Sequence, residues 1–188
     1  DNEAVMRMSV PNDDAYSAKL RVLGGREGAM RREYQVPADY RETKCRELLS
    51  FARFAAMDAR ELQAAASVRG MIDTSDVEPV SSSNEQRALK LIREAAEEAL
   101  SRFPTTLEED EAMLAAGMEM YSNERNCVVM RLGEKRVLQW YAKLGALAEE
   151  LLDKPLSDVR SWLTAHPHHT YESYVTRVVS NLLKEEQR

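Results

Sequence analysis

The chain has 188 residues, of which 44% are hydrophobic and 31% charged, a composition typical of a globular domain with a hydrophobic core. Its net charge of −6 at pH 7 argues against nucleic acid as the main partner, because binding to phosphates needs a basic face. No apolar run reaches the length of a transmembrane segment. The sequence starts at Asp1 without an initiator methionine or a recognisable targeting segment, so we expect a piece of a longer precursor.

Two short strands are predicted near the N-terminus. Val5–Val10 alternates between apolar and polar residues, as a strand with one buried face does, and Met30–Val36 alternates more weakly. Between them, Asp13 or Asp14 can cap a short helix that a pair of glycines ends. Because two strands alone do not form a stable sheet, we expect them to pack against helices or against a sheet outside this sequence.

Helices dominate from Pro37 onward, and four of their starts resemble a capping box. In this arrangement an Asp, Ser or Thr side chain accepts a hydrogen bond from a backbone amide, and a glutamate three residues later binds the amide of the cap. The four pairs are Asp39 with Glu42, Asp58 with Glu61, Ser82 with Glu85, and Thr105 with Glu108. Gly70–Val80 is predicted to be a loop. The acidic run Glu108–Glu111 is best explained by its place at a helix start, where negative charge is favoured.

The longest helical run is Ser122–Leu152, and we expect the shorter helices to pack against it. One apolar stripe along it consists of Met130, Val137, Tyr141, Leu144, Ala148 and Leu151. The predicted fold is mainly α, an orthogonal multi-helix bundle around one long helix, with one or two short N-terminal strands. Cys45 and Cys127 form no metal-binding pair, and buried free thiols are favoured over a disulfide.

Beyond Pro155 the sequence predicts a helix over 157–165 and a last helix from Thr170 with a broad apolar face. The only histidines of the chain, His166, His168 and His169, lie between these helices. They could bind a metal, but a proline interrupts them and no cysteine lies nearby, so a solvated turn is favoured.

Seven residues are candidates for protein binding: Arg131, Glu134, Lys135 and Arg136 in the long helix, and Trp162, Tyr171 and Tyr174 in the tail. The first four lie in a run of mixed charges, which is typical of a solvated helix face or, alternatively, of a peptide-docking surface. Gly133 within this run would let another helix approach closely. The tail residues add apolar area that must be buried somewhere, and self-association through the tail is one possibility. No catalytic triad or phosphate-binding loop is recognisable, so we expect no catalytic, metal or cofactor site in this chain.

Three segments together resemble the C-terminal substrate-binding domain of Rubisco large-subunit lysine methyltransferase and its SET-domain relatives. They are Pro79-Val80-Ser81 with Asn84-Glu85 before a helix that ends at Phe103, the acidic helix start Pro104–Glu111, and Val128–Leu138. The resemblance covers roughly Val5–Leu152. In that family a helical lobe holds a protein, while a separate SET domain binds S-adenosylmethionine and transfers the methyl group.

This resemblance implies a substrate-binding-like helical domain over residues 1–152, a C-terminal helical extension over 153–188, and a location in the chloroplast, either stromal or at the envelope. The SET portion is absent from the sequence, so no catalytic residue can be carried over, and S-adenosylmethionine is expected only if a SET domain precedes the chain. The leading hypothesis is a non-catalytic docking or scaffold subunit that binds protein partners in a larger chloroplast assembly. The alternative is the substrate-binding half of an active protein-lysine methyltransferase.

Overall fold

The structure is a computed structural model that describes residues 2–69 and 72–187. Its elements are β1 (Glu3–Ser9), α1 (Tyr16–Val22), a 3-10 turn (Glu27–Met30), β2 (Arg31–Pro37), α2 (Thr43–Ala56), α3 (Ala59–Arg69), α4 (Ser82–Ser101), α5 (Leu107–Ala115), α6 (Asn123–Leu152), α7 (Leu156–Ala165), α8 (Glu172–Tyr174), a π-helical turn (Val175–Val179) and α9 (Ser180–Glu186). The predicted mainly α fold around one long helix, with two N-terminal strands, is confirmed. No helix in the described ranges is both long and apolar enough to span a bilayer.

The two strands form an antiparallel ribbon that rests on helices. Glu3 lies opposite Pro37 and Ser9 opposite Arg31. The alternation read from the sequence is observed, since Met6 and Met8 are buried while Val5, Arg7 and Ser9 face solvent. β1 packs on α4 and α6, and β2 packs on α2. The helices therefore supply the support that a two-stranded sheet lacks.

The short helix α1 ends, as predicted, at a glycine pair, and both Gly24 and Gly25 have positive φ. The sequence did not predict that Lys19 in this helix is fully buried. Its Nζ donates to the carbonyl of Ala55 at 2.7 Å and lies 3.1 Å from Asp13 Oδ2. These acceptors offset the cost of removing an ammonium group from water.

Helices α4 and α6 form the most extensive helix pair of the core. At Gly145 of α6 a Cβ atom would lie 3.1 Å from the carbonyl oxygen of Leu89 and 3.0 Å from Arg93 Cβ, so glycine allows the two backbones to approach. Gly133 has a different neighbour from the one predicted. The side chain of Asn2, rather than another helix, occupies the space beside it.

The apolar stripe on α6 begins later than predicted. Val137 and the four stripe residues after it are buried, but Met130 is 67% exposed. The first turns of α6 pack on α5 through a different face, which carries Arg131 and Lys135. This change of face also explains why Cys127 is exposed, contrary to the predicted burial, while Cys45 is buried; both thiols are free.

Of the four predicted capping boxes, only Asp58 with Glu61 forms as predicted, with both hydrogen bonds present. The box before α5 is shifted by one residue to Thr106 and Glu109. The shift arises because the Thr105 hydroxyl donates instead to Asp110. Ser81 rather than Ser82 caps α4, and Asp39 caps no helix because it binds Arg41 two residues later.

The C-terminal segment completes the same hydrophobic core as the rest of the chain. The apolar face predicted for the last helix is buried along its whole length: Tyr171, Tyr174, Val175, Val178, Val179, Leu182 and Leu183. The apolar surface of the tail is therefore buried against the rest of the same chain and does not need a second copy of the protein to cover it. Residues 72–80 form no helix or strand, as predicted, whereas Gly70 and Met71 of that loop lie outside the described residues.

Candidate functional site

Two adjoining cavities flank the linker between β2 and α2, and we call them together the linker groove. Both are lined by Ala38, Asp39 and Arg41 of the linker. One cavity, of about 500 Å³, is completed by tail residues between His168 and Arg177. The other, of about 650 Å³, is completed by the start of β1 and by α6. The groove thus lies where the linker, the long helix and the tail meet.

The linker is held at both ends by tyrosines. At its start, the Tyr141 hydroxyl of α6 donates to the carbonyl of Pro37 at 2.7 Å. At its far side, the buried ring of Tyr40 packs edge-on against Tyr174 of the tail, with ring centroids 5.4 Å apart. Asp39 lies between these anchors and Arg41 directly follows Tyr40, and both side chains line the groove.

Asp39 and Arg41 form an ion pair inside the groove. Arg41 Nη2 lies 2.7 Å from Asp39 Oδ2, and the Arg41 amide donates to Oδ1 at 2.9 Å. The hydrogen bonds from Arg41 lower the pKa of Asp39 below its ordinary value, against a smaller opposing effect of desolvation. The pair is therefore ionised at neutral pH and adds hydrogen-bonding groups without net charge.

Trp140 joins α6 to the tail at the groove. Its indole Nε1 donates to Thr170 Oγ1 at 2.6 Å, and the Tyr171 hydroxyl donates to the Trp140 carbonyl at 2.8 Å. The two rings lie 5.0 Å apart. These contacts fix the loop before α8 against the long helix, so the tail forms a wall of the groove.

Of the four charged residues predicted for protein binding in α6, only Arg136 lines the linker groove. Its Nη2 lies 2.9 Å from Glu111 Oε1 of α5, in an exposed ion pair that contributes little stability. Arg177 lines the opposite cavity and forms no ion pair with any residue in 2–69 or 72–187. The groove therefore presents guanidinium groups at both ends for recognition of carbonyl or carboxylate oxygens.

Lys135 and Arg131, predicted as binding residues, instead hold α5 on α6. Lys135 is 2% exposed, and its Nζ lies 2.6 Å from Asp110 Oδ2 and donates to Thr105 Oγ1. Arg131 contacts both oxygens of the same carboxylate. Hydrogen bonds from Arg131 and then Lys135 hold the pKa of Asp110 well below its ordinary value. A partner cannot reach Lys135 in this arrangement.

The remaining predicted residues divide between surface and core. Glu134 lies on a separate cavity of about 200 Å³ beside β1. Trp162 stays partly exposed and stacks on His166, with centroids 4.8 Å apart. Tyr171 and Tyr174 are buried, because they pack on Trp140 and Tyr40, so they stabilise the groove from behind and do not line it.

The histidines do not gather around a metal position. His166 and His169 face each other with ring centroids 5.8 Å apart, and both contact the Trp162 ring. Throughout the part of the chain that the structure describes, no three His, Cys, Asp or Glu side chains are arranged to hold an ion.

Sequence reasoning missed the linker residues of the groove and the buried ion pair between Arg53 and Glu85. Arg53 Nε lies 2.7 Å from Glu85 Oε2, and Glu85 is fully buried. One signal was available for the pair: Glu85 is four and seven residues before Leu89 and Ile92, so it lies on the apolar face of α4. The linker has no periodic pattern that could reveal it.

A model of a known family matches most of the chain. The model of the Rubisco LSMT substrate-binding domain matches residues 10–138. Among solved structures, Rubisco LSMT bound to sinefungin and monomethyllysine superposes with a TM-score of 0.58 at 26% identity, over 81% of this chain and 36% of that one. Rubisco LSMT bound to AdoMet superposes with a TM-score of 0.59 at 23% identity, over 92% of this chain and 41% of the other, a likeness of fold.

Two curated proteins match a shorter stretch. The chloroplastic [fructose-bisphosphate aldolase]-lysine N-methyltransferase of Arabidopsis thaliana and the chloroplastic Rubisco large-subunit N-methyltransferase of Nicotiana tabacum are each 44% identical over 61 residues. That stretch is 32% of this chain and 12% of either relative. Both relatives are chloroplast proteins, and the chain is accordingly assigned to the chloroplast.

Proposed function

The chain belongs to the Rubisco LSMT substrate-binding family, and we propose that it is a protein-binding module that holds a segment of a partner protein in the linker groove. The observation that carries the proposal is the family match over residues 10–138, together with a groove whose three walls come from distant parts of the chain. In its leading form the module is non-catalytic and serves as a docking or scaffold subunit of a larger chloroplast assembly.

The chemistry of the groove fits a polypeptide. Arg41, Arg136 and Arg177 offer donors to carbonyl and carboxylate oxygens, while Asp39 and Glu172 offer acceptors to amides. A partner bound through mixed polar contacts of this kind gains specificity from their arrangement more than from net charge.

Charge reversal at the two ends of the groove tests the proposal. The wild type, an Arg136→Glu/Arg177→Glu double variant and a Lys90→Glu control are immobilised and exposed to chloroplast extract. Lys90 is exposed on α4 and does not line the groove. We expect one or more proteins that the wild type and the control retain equally, and that the double variant retains at least fivefold less. Equal retention by all three proteins, or retention of nothing specific, would overturn the assignment.

A second candidate function is the substrate-binding half of an active S-adenosylmethionine-dependent protein-lysine methyltransferase. It is favoured by two observations: the curated relatives are N-methyltransferases by name, and the chain spans about a third of the solved Rubisco LSMT structure. S-adenosylmethionine would then bind in a SET domain rather than in this chain. Transfer of labelled methyl groups to chloroplast proteins by the full-length protein would favour this candidate. Without such transfer, docking would be the remaining candidate function.

A further inference from the structure

The ribbon of β1 and β2 has an open edge along β1. In an antiparallel pair, every second residue of a strand directs its amide and carbonyl away from the neighbouring strand. β1 pairs with β2 in unbroken register from Glu3 to Ser9 and, within the ranges described, with no other strand. None of its outward backbone groups bonds to another described residue. The backbone of an extended polypeptide matches such a row of donors and acceptors.

A cavity of about 200 Å³ lies along this edge. Ala4 and Val5 both line it, although successive residues of a strand point to opposite faces, so the cavity must lie at the strand edge. Its other apolar walls are Ala99, Phe103 and Leu138, contributed by α4, the turn after it and α6. The cavity can take an apolar side chain or stem of an added strand.

The charges around this cavity favour a basic side chain. Arg7 is paired with Glu33, and Arg102 is paired with Glu98. Glu134 also lines the cavity, and its side chain forms no ion pair or hydrogen bond with any residue in the described ranges. A lysine or arginine of an added strand would lay its apolar stem on Phe103 and bring its charge to Glu134.

We propose that β1 docks an extended segment of a partner protein by strand addition, with a basic side chain of that segment held by Glu134. The cavity shares no lining residue with the linker groove, so it belongs to a second protein-binding surface, although Glu3 at the start of β1 also lines the groove. Seven residues of β1 offer room for a short strand, with side chains of the added segment alternating between the cavity and solvent.

Selection from a phage-displayed library of random decapeptides tests the proposal with a matched pair of variants. Val5 and Gln35 lie opposite each other on the solvent face of the ribbon. A lysine at either position adds the same charge, but only Val5→Lys places it on the open edge of β1. We expect selected peptides to bind the wild type and Gln35→Lys equally, and Val5→Lys at least tenfold more weakly.

A second selection, on the Glu134→Lys variant, tests whether the charge of Glu134 selects a basic side chain in the bound peptide. Peptides selected on the wild type should share a lysine or arginine at one position, and those selected on the variant should carry aspartate or glutamate there. Circular dichroism and thermal unfolding confirm that each variant is folded before selection. The proposal is overturned if no peptide is enriched, if Val5→Lys binds as the wild type does, or if the residue preference does not change with Glu134→Lys.

Discussion

The hydroxyl of Tyr174 donates to Glu85 Oε1 at 2.7 Å, across 89 residues of sequence. Glu85 also accepts from Arg53, whose Nε and Nη2 lie 2.7 and 3.0 Å from its two oxygens. One buried carboxylate therefore connects α2, α4 and the tail, and the tail that forms a wall of the linker groove is tied to the centre of the fold.

Removal of this hydroxyl should have a small effect compared with removal of the arginine. Tyr174→Phe leaves Glu85 with its two bonds from Arg53, so we expect a loss of about 1 kcal/mol in the free energy of unfolding. Arg53→Met leaves a buried carboxylate without a counter-charge and should cost on the order of 3–5 kcal/mol. Urea denaturation measures both, and equal losses would show that the tyrosine is as important as the ion pair.

The Asp110 network should make stability depend on acid pH. Hydrogen bonds from Arg131 and Lys135 lower the pKa of Asp110 below its ordinary value of 3.8, so the folded state binds this proton less readily than the unfolded state. The resulting stability is present above the unfolded pKa and is lost as pH falls toward the folded pKa. Urea denaturation between pH 7 and pH 3 should therefore show a shallower acid decline for Asp110→Asn.

The control for this experiment is Asp14→Asn, because Asp14 is exposed and forms no hydrogen bond or ion pair with the residues described. The free energy of unfolding of Asp14→Asn should fall as steeply between pH 7 and pH 3 as that of the wild type. A decline in Asp110→Asn as steep as in the wild type would assign the acid sensitivity to other carboxylates.

The same substitution at two glycines of α6 should have opposite effects. At Gly145 the added methyl group meets the α4 backbone at Leu89, which cannot move freely, and we expect a net loss of about 1–2 kcal/mol. At Gly133 it meets only the end of the Asn2 side chain, which can rotate away. Gly133→Ala should then gain about 0.5–1 kcal/mol from the higher helix propensity of alanine. Thermal unfolding of both variants checks this, and a loss at Gly133 would show that Asn2 is held in place.

The two cysteines should differ sharply in reactivity. Burial raises the pKa of the Cys45 thiol to about 12, and its side chain is inaccessible, whereas Cys127 is exposed. A thiol reagent should label one cysteine in the native protein and two in denaturant. The Cys127→Ser variant should lose the native reaction, and labelling of Cys45 without denaturant would contradict the buried position.

The parts of the fold that were predictable are those with periodic sequence. Alternation from Val5 to Val10 was sufficient for β1, and the spacing of Val137, Tyr141 and Leu144 was sufficient for the buried face of α6. Met130 was wrongly predicted to be buried. The prediction assumed that α6 buries the same face along its whole length, but the first turns of the helix bury a different face. Cap positions moved by one residue before α4 and α5 because an adjacent serine or threonine can cap equally well: Ser81 accepts from the Asn84 amide and Thr106 from the Glu109 amide.

The candidate site was less predictable, since its residues come from loops and their roles depend on distant partners. Nothing in the sequence near Lys135 indicates that Asp110 will neutralise it. Tyr171 and Tyr174 were expected at a binding surface because their partners, Trp140 and Tyr40, lie in other segments. Arg136 was predicted as a protein-binding residue and lines the linker groove, and its role in binding stays a prediction.

The placement of β1 on α6 has a consequence for the order of folding. The bond from Tyr141 to the Pro37 carbonyl spans 104 residues, so closing this contact requires a large loss of chain entropy before it contributes stability. The helical pair α5–α6 is local and can form early, whereas the ribbon must wait for the long helix. The apolar face of the ribbon, which carries Met6 and Met8, is therefore exposed longest during folding, when contacts with other chains are most damaging.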